Sequence, residues 1–256
     1  MTHLAQAGHN AQMHQALTAV RSGIFVSDLH LFSPRSIGQK MVRDLSRLSV
    51  GYDCIVLGGD IFDFRWSLQG SHAATLQATR QWLLNLLRAT RDVPIFFLPG
   101  NHDCHPDFLE TLELLAKSEP RFFWAAHHLQ ISDCLFLHGD VLDAGGIDGL
   151  AGYRRKFHHE LPRSALAHRS YDMVVGMRIH KLVPLLRHQP PRTCQRLLEA
   201  IGDLSLHADQ PVRRVFFGHT HVPIHGLQVE NVQFFNPGAS LKYMEPHIHI
   251  FEIEPA

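Results

Sequence analysis

Five short polar motifs stand in order along this chain, each directly behind a short apolar run: Ser27-Asp28-Leu29-His30, Gly58-Gly59-Asp60-Ile61-Phe62-Asp63, Gly100-Asn101-His102-Asp103, His138-Gly139-Asp140 and Gly218-His219-Thr220-His221. Short apolar runs bounded by turn residues read as buried strands. The motifs therefore fall at strand ends, and the fold must bring several strand ends to one place. In an open α/β sheet, ligands bind in the crevice beyond the carboxyl ends of the strands.

The first half alternates. Strands are expected over 23–27, 54–57 and 94–98, and helices over 37–48, 72–89 and 106–117. This β-α-β-α-β series implies right-handed crossovers and a parallel core sheet. In the second half, 128–132 and 134–137 read as a hairpin around Asp133, and 212–217, 224–229, 232–235 and 247–253 as further short strands. A second, largely antiparallel sheet is the expectation. Between these strand groups lies a helical insertion, about 147–207. Residues 1–22 read as a solvated tail carrying His3, His9 and His14, and 23–256 as one domain with the insertion as a lid.

Composition narrows the class. The chain has 256 residues, 45% of them hydrophobic, so a large core is available and disorder is not expected. Formal net charge is zero, which does not favour non-specific binding to nucleic acid. The charge is unevenly spread: positions 151–196 hold ten Lys or Arg and two acids, Glu160 and Asp172. The basic segment is an anion-binding lid or a solvated face. No apolar run is long enough to span a membrane, though contact at a membrane surface stays open. The N-terminal stretch has no basic start followed by an apolar core, so it does not read as a secretory signal. Cys54, Cys104, Cys134 and Cys194 form no C-x-x-C and read as reduced thiols of a cytosolic protein.

The motif residues suit metal ions. Asp28 and His30, at i and i+2, would share one side of an extended segment, and His219 and His221 repeat that spacing. Asp60 offers a carboxylate able to bridge two ions, Asn101 a carbonyl oxygen and His138 another imidazole. Mixed oxygen and nitrogen donors suit Mn²⁺, Fe or Zn²⁺, and no cysteine demands a softer metal. Buried polar residues at this frequency would be costly without an ion to satisfy them.

This order resembles the calcineurin-like metallophosphoesterases, whose pattern is D-x-H, G-D-x-x-D, G-N-H-[DE], H and G-H-x-H, and every position is filled between Ile24 and Ser240. The resemblance implies an α/β fold in four layers, an α-β-β-α sandwich of two packed sheets. It implies two divalent ions, Mn²⁺ foremost, with Fe or Zn²⁺ as alternatives. One would be held by Asp28, His30, Asp60 and His221, the other by Asp60, Asn101, His138 and His219. Such a pair activates a shared water for attack on phosphorus. His102 would stabilise or protonate the leaving oxygen, oriented by Asp63. Asp103 and Asp140 would either steady ligand histidines or satisfy turn amides. Asn236-Pro237-Gly238-Ala239-Ser240 resembles the N-P-G-S turn near the end of this family's domain.

Within the family, Asp28-Leu29-His30-Leu31, the Gly-Asp-Ile-Phe-Asp-Phe run with Trp66 behind it, and His-Gly-Asp before a helical insertion resemble the UDP-2,3-diacylglucosamine hydrolases. That group cleaves a nucleotide-sugar diphosphate, so a small phosphoester or nucleotide-sugar-lipid substrate is implied. The apolar insertion residues Leu161, Leu166, Val174, Val175, Met177, Leu182, Leu185 and Leu186 would pack against the body or line an acyl pocket, and packing is the stronger expectation. Two positions set the chain apart from that group: His102 stands where its members carry Arg, and they lack the Asn-Pro-Gly turn. Two rivals are weaker. A non-catalytic scaffold would show lost ligands, and none is lost. A nuclease would need an aromatic stacking series, and Tyr153, Phe157 and Tyr171 are few.

Overall fold

The computed structural model describes residues 2–90, 92–158, 163–202 and 210–254. In chain order the elements are α1 (Thr2–Ala19), β1 (Ser22–Val26), α2 (Gly38–Leu48), β2 (Cys54–Gly58), α3 (His72–Ala89), β3 (Ile95–Leu98), α4 (Pro106–Ser118), β4 (Phe122–Trp124), β5 (His128–Ile131), β6 (Cys134–Leu137), α5 (Val141–Ala144), α6 (Ile147–Arg155), α7 (Ala165–Gly176), α8 (Ile179–Arg187), α9 (Pro190–Ala200), β7 (Arg214–Phe217), β8 (Ile224–Val229), β9 (Val232–Asn236) and β10 (His249–Glu252).

The strands form two five-stranded sheets, ordered β10-β1-β2-β3-β4 and β5-β6-β7-β9-β8. Strand periodicity explains how they stack. Alternate side chains of a strand point to opposite faces, and in β1 both faces are apolar. Ile24 and Val26 join Leu57 and Phe97 in a core beneath the helices, with Leu83, Phe108 and Leu112. Phe25 points the other way, into a core shared with Val56, Phe96, Phe136 and Phe216 between the sheets. Aromatic rings fill that middle layer: Phe136 stacks on Phe216 with centroids 5.0 Å apart, and Phe216 on Phe235 at 4.7 Å. A third core lies outside the second sheet, where Leu135, Val215 and Phe217 meet Cys194, Leu197 and Ile201. Helix, sheet, sheet, helix is the four-layer sandwich expected.

Local signals set the helices. The Ser71 hydroxyl accepts the Ala74 amide at the start of α3, and α4 opens on a proline, each a favoured helix start.

Four expectations change. The second sheet is mixed rather than largely antiparallel: β5–β6 and β8–β9 run antiparallel, but the central pairs β6–β7 and β7–β9 are parallel. The long helical crossover between β6 and β7 makes a parallel pairing feasible. The last strand, β10, leaves that sheet and pairs antiparallel with β1 at the edge of the first. The stretch read as a tail is helix α1, and its Met13, Ala16 and Leu17 cover the inter-sheet core. His14 is exposed as expected, while the side chains of His3 and His9 lie outside the described residues.

The fourth change concerns the apolar residues of the insertion. Val175 is buried and Val174 half-buried, but Leu166, Met177, Leu182, Leu185 and Leu186 are exposed, with Leu186 77% accessible. They do not pack on the body. Leu161, Glu160 and positions 203–207 of the insertion lie outside the described residues. No helix among the described residues is long and apolar enough to cross a membrane.

Candidate metal centre

All five motifs leave the carboxyl ends of β1, β2, β3, β6 and β7, so the sandwich delivers them to one edge. The first two continue the sheet pairing past its strands, with the Asp28 amide donating to the Gly59 carbonyl and the His30 amide to that of Asp60. The backbone there is not extended. Asp28, His30, Asp60, His219 and His221 all have positive φ, between 46° and 64°. The shared side of Asp28 and His30, and of His219 and His221, therefore comes from left-handed turns rather than from strand alternation. Non-glycine residues in that region are strained and persist only where the surroundings hold them.

Two clusters result. In the first, His221 Nε2 lies 3.3 Å from Asp28 Oδ1 and 3.1 Å from His30 Nε2. In the second, His138 Nε2 lies 3.4 Å from Asp60 Oδ2 and 3.3 Å from Asn101 Oδ1, and His219 Nδ1 lies 3.0 Å from the same Asn101 oxygen. Asp28, His30 and His221, and likewise Asp60, His138 and His219, each offer three ligand atoms within 4.8 Å of one another. All seven residues expected as ligands are thus brought together.

The outward nitrogen of two of these rings is already hydrogen-bonded, and that of a third faces a carboxylate. His138 Nδ1 meets the Gly58 carbonyl at 3.0 Å, His219 Nε2 meets Asp143 Oδ2 at 3.1 Å, and His30 Nδ1 faces Asp63 Oδ2 at 3.7 Å. Metal-bound histidines are typically fixed in this way by a carboxylate or carbonyl on the far nitrogen. The mixed nitrogen and oxygen donor set, turned inward and clamped from behind, fits divalent ions of intermediate hardness.

Electrostatics agree. Burial pushes the Asp28 carboxyl up, but the hydrogen bond and charge of His221 hold it below the usual carboxylate range. Burial also opposes ionisation of Asp60, and the charges of His138 and His102 prevail and hold it well below that range. Burial pushes His138 down, yet Asp60 drives it up to about 10. A proton trapped between a buried carboxylate and an imidazole is what a bound cation displaces.

His102 stands beside the clusters, its ring edge-on to His30 with centroids 5.1 Å apart and its Nδ1 3.4 Å from Asp63 Oδ1. Asp63 therefore touches both His30 and His102, not His102 alone. Burial raises the Asp63 carboxyl, but the His102 charge outweighs it and the pKa is lowered. With Nδ1 toward Asp63, the far nitrogen of His102 is turned away from it. His102 lines a small cleft with Phe64, Arg65, Asn101, His105 and Phe157.

The supporting residues resolve the open expectations. The Asp103 carboxylate accepts the amides of Gly100, Asp60, Ile61 and Phe62, so it serves turn amides. Burial and the Asp60 charge push it up to about 6. Asp140 is paired with Arg154 instead, through two bonds of 2.7 and 3.0 Å. Asn236, fully buried, donates to the Gly218 carbonyl at 2.8 Å and accepts the Gly238 amide at 2.9 Å, so the Asn-Pro-Gly turn braces the fifth motif. Gly218 and Gly100 are there for closeness: a Cβ on either would run into a carboxylate oxygen, of Asp28 and Asp60 respectively. Asp143 was missed by the sequence reading, although it stands three residues beyond Asp140. So was Arg35, 2% exposed, which lies over the rings of Trp66 and Tyr171 and donates to the His168 carbonyl at 2.8 Å, tying α7 to the body.

A family model described as calcineurin-like phosphoesterase matches residues 24–223. UDP-2,3-diacylglucosamine hydrolases of Xanthomonas campestris pv. campestris, strains B100 and 8004, are each 35% identical over 81 residues, which cover 31% of this chain and 32% of theirs. The match thus spans about a third of those curated relatives' length. Among solved structures, a hypothetical protein from Thermus thermophilus aligns with 87% of this chain and 78% of its own, at 16% identity and a TM-score of 0.37.

Proposed function

This chain belongs to the calcineurin-like phosphoesterase family, and from that premise we propose that it hydrolyses a phosphoester or diphosphate bond with two divalent ions. Asp28, His30, Asp60 and His221 would hold one ion and Asp60, Asn101, His138 and His219 the other, with Asp60 between them. Bound there, the pair supplies Lewis acidity and an activated water. The chain's own residues do the rest. Asp63, Asp143 and the Gly58 carbonyl fix the ligand rings. His102, turned by Asp63, presents its other nitrogen to the leaving oxygen and gives it a proton.

The observation that carries this reading is the inward convergence of two three-donor clusters, with His138 and His219 hydrogen-bonded from behind and His30 backed by Asp63. Turnover of p-nitrophenyl phosphate and its bis-ester, with Mn²⁺ added and after chelation, tests it alongside Asp60→Ala. Metal-dependent hydrolysis that Asp60→Ala abolishes is expected. No metal-dependent activity on any ester of the panel sinks the reading.

The substrate proposed is a nucleotide-sugar diphosphate with acyl chains, and Mn²⁺ is the proposed ion. The partial likeness to UDP-2,3-diacylglucosamine hydrolases supports this. So do the basic charge of 151–196 and the exposed apolar residues of α7 and α8. On this view 147–207 is a lid on a single domain spanning 23–256, working in the cytoplasm at a membrane surface. Hydrolysis of UDP-2,3-diacylglucosamine, set against a deacylated analogue, decides it. Equal turnover of the two would favour the second reading, a phosphodiesterase or phosphatase acting on another small ester, which His102 in place of Arg supports.

A further inference from the structure

We propose that His72, His105 and Asp107 form a further binding site for a transition-metal dication, zinc foremost, separate from the paired centre. His72 is the first residue of α3, and His105 and Asp107 flank Pro106 at the start of α4. His72 Nε2 lies 3.2 Å from Asp107 Oδ2, and His105 Nδ1 lies 4.0 Å from the same oxygen. The two imidazole centroids are 4.0 Å apart, and one ligand atom from each residue falls within a 4.8 Å span. A tetrahedral ion with bonds of about 2.0–2.1 Å sets its donors roughly 3.3 Å apart. His72 and Asp107 already stand at about that separation, and His105 Nδ1 lies about 0.7 Å beyond it from the same Asp107 oxygen. Three protein donors leave a coordination position open, as accessible zinc sites do.

The simpler account is that Asp107 complements the positive end of α4. It explains the acid and not the two rings turned to one of its oxygens. His105 holds the N-cap position of α4 and makes no side-chain capping hydrogen bond, so capping does not explain it either. Phe64 packs against both rings, its centroid 5.3 Å from His72 and 6.3 Å from His105, and sets them side by side. The rings are about one-fifth exposed and Asp107 more than half, so an ion in solution can reach them. None of the three belongs to the paired clusters, but His105 lines the cleft with Asn101 and His102. An ion here would tie the wall of that cleft to the start of α3.

The test is zinc content of the full chain after equilibrium dialysis, with His72→Ala and Asp107→Asn as variants and circular dichroism to confirm folding. Each variant is expected to hold one zinc equivalent fewer than the parent. A second measurement reads the site directly: His72→Cys loaded with Co²⁺ should show a near-ultraviolet thiolate-to-cobalt band that the parent lacks, its four cysteines all being buried. That band should survive Asp60→Asn, which separates this site from the paired centre. Unchanged zinc content in both folded variants, or no cobalt band in His72→Cys, overturns the proposal.

Discussion

Arg154→Met should unfold this protein more easily by about 3–5 kcal/mol, the usual cost of removing one partner from a buried ion pair. Arg154 is 5% exposed and Asp140 1%. The guanidinium makes two bonds to the carboxylate, and its remaining arm donates to the Ala126 carbonyl at 2.7 Å. Methionine fills much of the same space, so the loss is mostly electrostatic: a carboxylate stays buried without the cation that hydrogen-bonds it, only the more distant His138 and His219 charges remaining. At roughly 2–4 °C per kcal/mol for a chain of this size, the midpoint should fall by roughly 6–20 °C. Urea unfolding followed by circular dichroism gives the free energy. The double variant Asp140→Asn/Arg154→Met removes the buried charge and leaves only unsatisfied polar groups, worth about 1–3 kcal/mol, so it should be more stable than Arg154→Met alone. Acidity provides a second reading. In the parent, burial raises Asp140 but the Arg154 charge prevails and lowers it. The pair's contribution is therefore complete above the unfolded value of 3.8 and fades only as pH drops through the lowered native value. In Arg154→Met, burial without a partner raises Asp140 instead, so the deficit should shrink as pH falls from about 7 toward about 4. A cost below about 1 kcal/mol, the range of exposed pairs, would refute the reasoning by showing that α6 does not seal this pair from water.

Three further outcomes follow from the site. His102→Ala should slow hydrolysis of alkyl esters by roughly 10²–10⁴, the range for a general acid, and that of p-nitrophenyl esters far less, because their leaving group needs no proton; equal losses on both would remove His102 from that role. Asp143→Asn should weaken metal binding by roughly 10–100-fold, as losing the clamp on a ligand histidine does, read by metal content against free ion concentration. Gly218→Ala should lower metal content while leaving helical dichroism unchanged, since its Cβ would displace Asp28 and Ser27 at the centre.

Much of the fold could be read from period and punctuation. The strands β1, β2, β3 and β6 are buried along nearly their whole length, so a short apolar run located each one closely. The strand that went unread, β4, has three residues, Phe122 to Trp124, too few to carry a period. Sheet membership was harder. Nothing local tells β10 to pair with β1 rather than with β8 or β9, because that choice depends on which edge the chain can reach after the Asn236–Gly238 turn. Parallel pairing of β7 with β6 and β9 is equally non-local.

The candidate site divides along the same line. Residue type and order marked the candidate donors, because the five motifs place Asp, Asn and His where strand ends meet. What aims them was invisible, since residue type alone does not mark the left-handed backbone at Asp28, His30, Asp60, His219 and His221, although Asp and His adopt it more readily than most residues. Strain of that kind needs contacts that fix it, and those contacts come from afar: Asn236 on the Gly218 carbonyl, Asp103 on the amides behind Asp60, and the Asp28 carboxylate accepting the His219 amide at 3.1 Å. Ligand geometry of this sort is shared by any ester the pair can reach. On the proposed reading, discrimination falls to the groups around the ligands: His102 with Asp63 inside the motifs and, outside them, the Arg35–Trp66–Tyr171 stack that seats α7 and the exposed apolar residues of α7 and α8.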